Sequence, residues 1–223
     1  MTGKTIVLGV DVGKLHDPTA VCACEWTEVV VKPADPLFGE HPIMETHYRV
    51  LGAERLPLGT SYPDVAKRIN ALARRLYERD SAGQYHCLID ATGVGGPVVD
   101  MVRAAIIPQC HVTAVTITGG DKGDASIIWR TAGSIGKSYL VSRLQSLLQS
   151  GRLVAPRNTD MEAMAEELKV YEIRTRDTGT PEMGAFAVGT HDDLVTALAL
   201  SCIADEQRVR YGPDVDGLPS PPL

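Results

Sequence analysis

No uninterrupted apolar stretch in this chain is long enough to span a bilayer, and Met1-Thr-Gly-Lys4 lacks the pattern of a secretory signal. Neither a membrane partner nor secretion is expected. Cysteine is scarce: five residues, an odd number, at Cys22, Cys24, Cys87, Cys110 and Cys202. Four sit in apolar runs, which suits reduced core thiols in a cytosol-like compartment. Cys22-Ala-Cys24 has no second Cys or His pair at zinc spacing, which argues against a structural zinc. Positive charge is also short. The net charge of −6 argues against a protein that holds nucleic acid by bulk electrostatics alone. A phosphate-binding loop is missing as well. Gly3-Lys4-Thr5 and Gly136-Lys137-Ser138 imitate its end, but Thr131 stands where Gly136 needs an earlier glycine, and Gly3 has too little chain ahead of it. Gly93, Gly95 and Gly96 miss the dinucleotide-binding spacing, and Pro97 opens a helix instead.

What is present fits one soluble domain. The 223 residues are 44% hydrophobic and 22% charged. The domain is expected over residues 1–210, with a disordered tail over 211–223 marked by Pro213, Pro219, Pro221 and Pro222. Charge is unevenly spread: between Gly120 and Arg157, six cations (Lys122, Arg130, Lys137, Arg143, Arg152, Arg157) face two acids (Asp121, Asp124), an excess of four. That cluster reads equally as a local basic surface or as a solvated helix face.

Three apolar stretches, at 5–10, 20–26 and 46–56, read as strands of an antiparallel meander, with prolines 33, 36 and 42 in the long turn between the second and third. Val65, Ile69, Leu72 and Leu76 fall at helical spacing after Pro63. Residues 86–90 form a short buried strand, 96–105 a helix and 111–118 a β-rich strand. After a Gly-rich loop, Leu140, Val141, Leu144, Leu147 and Leu148 make a helix that Gly151 stops. Thr159 and Glu162 form a capping box before a helix with Met161, Met164, Ala165 and Leu168 inward, and an apolar helix over 190–205 closes the fold.

Against this framework three acids stand out, each at the mouth of an apolar run: Asp11, Asp90 and Asp193. Burying a carboxylate beside a core strand costs several kcal/mol unless a positive group compensates it. Three converging on one place call for a metal ion rather than three salt bridges. Taken singly, each has a structural reading: Asp193 as a helix-dipole carboxylate three residues after Thr190, Asp90 as a strand-ending turn residue, Asp11 as a loop acid before Gly13.

The order β-β-β-α-β-α-β is that of the ribonuclease H-like α/β fold, a mixed five-stranded sheet with helices on both faces. There the first and fourth strands run side by side and parallel, which makes Asp11 and Asp90 neighbours. The start of the last helix can bring Asp193 over the same edge.

Specific motifs sharpen this. Gly9-Val-Asp11-Val-Gly13 with Asp17-Pro-Thr-Ala, Asp90-Ala-Thr-Gly93-Val-Gly95, Thr116-Ile-Thr-Gly-Gly120, the 144–153 leucine run, Glu167-Leu168 and His191-Asp-Asp-Leu-Val-Thr-Ala-Leu-Ala-Leu200 resemble, in order, the nuclease domain of tailed-bacteriophage terminase large subunits. The His-Asp-Asp-Leu-Val block is the most specific element. The resemblance implies a metal-dependent hydrolase, an endonuclease that cuts concatemeric double-stranded viral DNA during genome packaging with little sequence preference, in the host cytoplasm. It implies Mg2+ or Mn2+ as a two-ion cofactor, and a terminase ATPase motor and portal as partners, although this chain supplies no motor of its own. No subunit interface is legible, so the isolated chain is expected to be monomeric. By motif position, Asp11, Asp90 and Asp193 are the catalytic, metal-binding acids and Asp192 an auxiliary metal ligand. Two hard cations roughly 4 Å apart can stabilise both attacking and leaving oxygens of a phosphodiester, with Asp11 the candidate bridge. His191 is an auxiliary candidate for positioning a water or phosphate, and equally a helix-entry residue. Lys122, Arg130 and Lys137 are the candidates for DNA phosphate contacts. Three other readings stay open: a Holliday-junction-resolvase-like nuclease with the same fold and metal logic, an actin-like ATPase, and a non-catalytic DNA-packaging module.

Overall fold

The strand Thr5–Asp11 (β1) is apolar from Ile6 to Val10 because it is covered on both faces and hydrogen-bonded on both edges. The computed structural model describes residues 4–13, 17–33, 42–93, 95–157, 159–170, 172–175, 181–184 and 192–203. β1 pairs antiparallel with Ala20–Lys32 (β2), which pairs antiparallel with Ile43–Arg55 (β3). The helix Tyr62–Arg79 (α1) then crosses to Gln84–Asp90 (β4), parallel to β1 on its other edge. Ser61 caps α1 by accepting from the Asp64 amide, and Pro63 sits in the first turn.

Gly95–Ala105 (α2) leads to Cys110–Thr118 (β5), and a 3-10 turn, Ala125–Trp129, precedes Ala132–Gly136 (β6). Next come Lys137–Gln149 (α3), Leu153–Val154 (β7), Thr159–Val170 (α4), the hairpin Glu172–Thr175 (β8) and Pro181–Gly184 (β9), and Asp193–Ser201 (α5). The main sheet has seven strands in the order β6-β5-β4-β1-β2-β3-β7, and β8-β9 form a separate two-stranded sheet.

The expected five-stranded core, β3-β2-β1-β4-β5, is present, and two short edge strands extend it. β6 falls where the sequence reads as a Gly-rich loop. Ala-Gly-Ser-Ile-Gly has weak strand propensity, and it is held by parallel pairing with β5 from Ala114↔Ala132 to Thr118↔Gly136. A Cβ at Gly133 would lie 2.8 Å from the Ile127 side chain, so glycine there lets the 3-10 turn close over the edge. β7 is two residues long, too short for any periodic signal. In α4, Met161 and Met164 are buried as expected, whereas Ala165 is exposed and the inner position beside it belongs to Glu167. The side chain of Thr159, residues 204–210 and the proline-rich tail lie outside the described residues.

The helices divide the core in two. α1 and α2 cover one face, packing on Ile6, Leu8, Val10, Cys87 and Ile89. α3, α4 and α5 cover the other, packing on Val7, Cys22, Cys24 and Leu88. All five cysteines are buried free thiols.

α5 lies almost against β1. A Cβ at Gly9 would stand 2.0 Å from the Ala197 carbonyl oxygen and 2.6 Å from the Ser201 nitrogen, so only glycine admits the helix at this depth. The far end of α5 is fastened from other elements: the Trp26 indole donates to Ser201 O at 2.9 Å, and Arg143 of α3 donates to Cys202 O at 2.8 Å. Gly9→Ala should therefore lift α5 and destabilise the protein by about 1–3 kcal/mol or more, read as a lower denaturant midpoint.

His86 on β4 is 5% exposed, edge-on to Trp129 at 5.0 Å, and its Nδ1 has no partner among the described residues. Burial, with a smaller contribution from His111, pushes its pKa down to about 4. The native ring is neutral while the unfolded one takes up a proton below its ordinary value of about 6.5. Stability should thus fall as pH drops from about 6.5 to about 4, by up to about 3 kcal/mol. Urea unfolding at stepped pH should show a shallower decline in His86→Gln than in the wild type.

Candidate functional site

Strand alternation places the acids. On β1, Val7 and Gly9 face α5 while Ile6, Leu8 and Val10 face α1 and α2, so Asp11 continues the α5 face. On β4, Leu88 packs in the α5-side core, and Asp90 shares its side. The parallel register runs to Val10↔Ile89, which makes Asp11 and Asp90 the next row. α5, seated on Gly9, delivers Asp192 and Asp193 at its N-terminal end above that row. The result is a cavity of about 610 Å³ lined by Asp11, Asp17, Asp90, Lys137, Asp192 and Asp193, with apolar walls from Leu140, Leu144 and Val195.

The electrostatics are lopsided. The Asp11 carboxyl is held well above the usual carboxylate range, first by burial and then by repulsion from Asp90, Asp192 and Asp193; Lys137 alone opposes this. The surrounding acids are engaged separately. Asp90 Oδ1 accepts from the Thr92 amide at 2.8 Å. Lys137 Nζ, at the first residue of α3, donates to Asp192 Oδ2 at 3.1 Å. Asp193 takes a two-pronged bond from Arg55 at the end of β3, Nε to Oδ2 at 2.8 Å and Nη2 to Oδ1 at 3.1 Å. Arg55 also contacts Glu167, whose other oxygen accepts from the Leu194 amide at 3.2 Å.

The structure places the expected site residues in different surroundings. The sequence reading set salt bridges aside in favour of a metal, yet Asp193 and Asp192 each have a cationic partner. The buried Asp193 is too costly to leave bare, and Arg55 reaches it. Among the described residues no three His, Cys, Asp or Glu side chains form a preassembled metal cluster. The four aspartates share one cavity, but two of them are turned toward cations. Of the three candidate phosphate contacts, Lys137 lines the cavity while Lys122 and Arg130 do not. Arg130 instead pairs with Asp124 at 2.9 Å and Ser126 at 3.0 Å. His191 lies outside the described residues. Arg55 and the charge role of Glu167 gave no sequence signal, because an arginine ending a strand and a glutamate within a helix are ordinary surface patterns. Asp17 sits where the turn after β1 folds back so tightly that a Cβ at Gly13 would meet the Asp17 carbonyl oxygen at 2.1 Å.

No protein-family model matches the chain, and no curated protein resembles it in sequence. Solved structures do resemble it. The large terminase nuclease from thermophilic phage G20c is 21% identical, with 89% of this chain and 81% of that one covered and a TM-score of 0.56; the same nuclease is known with bound magnesium and with bound cobalt. The large terminase nuclease domain of Thermus phage P74-26 is 18% identical over 90% and 81% of the two chains, at a TM-score of 0.53. The terminase nuclease domain of human cytomegalovirus is 12% identical over 94% and 86%, at 0.55. The chain thus shares the ribonuclease H-like fold of terminase large-subunit nuclease domains over most of its length, as its motifs led us to expect.

The repulsion at Asp11 can be tested without any substrate. Desolvation and like charges penalise the Asp11 carboxylate, and Asp11→Asn removes that penalty, so in EDTA the variant should melt a few degrees higher than the wild type, on the order of 1 kcal/mol. It should also lose most of the rise in melting temperature that Mn2+ gives the wild type. A variant that melts lower in EDTA would show that the charge is not strained.

Proposed function

We propose that this chain is a divalent-metal-dependent DNA endonuclease of the terminase type, hydrolysing phosphodiester bonds of double-stranded DNA during viral genome packaging. One observation carries the reading: the half-buried Asp11 carboxyl, its pKa raised by desolvation and like charge, lines a cavity that four more aspartates share, Asp17, Asp90, Asp192 and Asp193. The similar folds of terminase nuclease domains, some of them metal-bound, support it.

The donor set suits a hard cation. All the candidate ligands are carboxylate oxygens, and the repulsion that raises the Asp11 pKa is what a bound cation would relieve. Asp11, at the end of the central strand, together with Asp90, Asp192 and Asp193, would hold such cations. When bound, such ions would supply an activated water and stabilise the leaving 3′ oxygen. The chain's own groups do the rest. Lys137 lines the cavity and pairs with the ligand candidate Asp192, and its ammonium can transfer from Asp192 to an incoming phosphate. The apolar wall of Leu140, Leu144 and Val195 limits water beneath the reacting groups. An acidic cavity on a chain of net charge −6 repels a bare phosphodiester, so substrate entry depends on cations held there. Two-ion chemistry, Mg2+ or Mn2+ as the ions, a packaging motor and portal as partners and a host-cytoplasm setting belong to the same proposal.

Incubation of the purified chain with supercoiled plasmid should give nicked and linear products with Mn2+ or Mg2+ and none in EDTA. Asp11→Asn and Asp90→Asn, with wild-type circular dichroism, should each cut several orders of magnitude more slowly. A well-folded Asp11→Asn variant of full activity would refute the assignment. Faster cutting of four-way junctions than of linear duplex would redirect it to resolvase-type cleavage.

A further inference from the structure

We infer that Arg55 is the positioning residue of this centre, fixing the first turn of α5 through Asp193 and Glu167 and so setting where Asp192 and Asp193 present their oxygens. The inference rests on the cation-binding reading of the cavity. It goes beyond that reading by assigning the geometry of the α5 ligands to a residue that is not itself a ligand.

Three observations lead to it. The cross-strand registers Asp11↔Ala20 and Ala20↔Arg55 put the three residues in one row on the α5 face. Adjacent strands lie roughly 5 Å apart, so Arg55 starts about 10 Å from the Asp11 strand. Ala20 between them has only a methyl group and leaves the row open for a long side chain. Next, Asp193 and Glu167 are only 5% and 7% exposed. Two buried carboxylates need a charge partner with several donors in a fixed fork, which guanidinium provides and ammonium does not. Finally, α5 has no side-chain cap of its own, since its N-cap residue Asp192 makes no such bond. Glu167 supplies the cap from α4, accepting from the Leu194 amide. One guanidinium therefore ties β3, α4 and the start of α5 together at the residues next to Asp192.

Without Arg55, two buried carboxylates are left facing one another and the first turn of α5 loses its anchor. The seat on Gly9 is farther along the helix, at Ala197 and Ser201, and stays in place. The loss is local, and it falls on the cation ligands.

The test uses the full chain with Mn2+ alone, so no DNA is needed. Amide hydrogen exchange and Mn2+ affinity by calorimetry are measured for the wild type, Arg55→Gln and Arg55→Lys. In Arg55→Gln the Leu194 and Val195 amides should exchange at least ~10-fold faster while β1 and β4 keep their protection. Mn2+ affinity should fall roughly 10–100-fold. Arg55→Lys, which keeps the charge but loses the fork, should recover part of both. Unchanged exchange at Leu194 and Val195 would overturn the inference, as would faster exchange spread evenly over the sheet. If Arg55→Gln does not fold, Arg55→Lys decides on the same two readouts. A wild-type chain that binds no Mn2+ would strike the metal reading instead, and local exchange would still decide the role of Arg55.

Discussion

The structure depends on keeping five carboxylates close together at one end of a buried sheet. Among the described residues, Lys137 pairs with Asp192, and Arg55 with Asp193 and Glu167, beside Asp11 and Asp90. Acids gathered in this way work against folding unless solvent, protons or cations meet them. The protein concentrates the strain at Asp11, where Asp90, Asp192 and Asp193 all push in the same direction, and relieves it at the periphery through the two ion pairs. Core elements hold this arrangement in place.

Close packing makes the arrangement rigid. Asp11 and Asp90 are fixed by the parallel pairing of β1 with β4, and a one-residue slip of either strand would turn its aspartate to the α1 face. The α5 acids depend on helix depth, which Gly9 sets by backbone contact at Ala197 and Ser201. Arg143 works on the opposite end of α5, bonding Cys202 O and the Tyr48 hydroxyl, so both ends of the helix are held by arginines from other elements. Short-range geometry at Gly9 and long-range charge at Arg55 therefore converge on the position of one helix.

Much of this was legible in the sequence. Apolar runs with helical breaks between them indicated the order of the central five strands, and the parallel placement of the first and fourth made Asp11 and Asp90 neighbours. The edge strands were not legible: Ala132–Gly136 and Leu153–Val154 exist by pairing with β5 and β3, not by propensity. The hairpin of Glu172–Thr175 with Pro181–Gly184 carried too weak a pattern to assign. Charge partners were harder still. Arg55 and Asp193 are 138 residues apart in sequence, and nothing in either segment announces the other. Lys122 and Arg130, near Lys137 in sequence, do not line the cavity that Lys137 lines.

The adjacent aspartates at the start of α5 show why the ion pairs and a metal reading are compatible. Asp192 is the N-cap of α5 and Asp193 its first residue, and although both line the cavity they take different ion-pair partners. Asp192 points to Lys137 on α3, and Asp193 to Arg55 on β3. Both carboxylates benefit from the positive end of the helix dipole, which tolerates two acids in one turn better than a mid-helix position would. An Arg-bound carboxylate keeps lone pairs free on its outer edge. On the cation-binding reading proposed above, Asp193 would stay anchored while serving a cation, and Asp192 would exchange its ammonium partner for one.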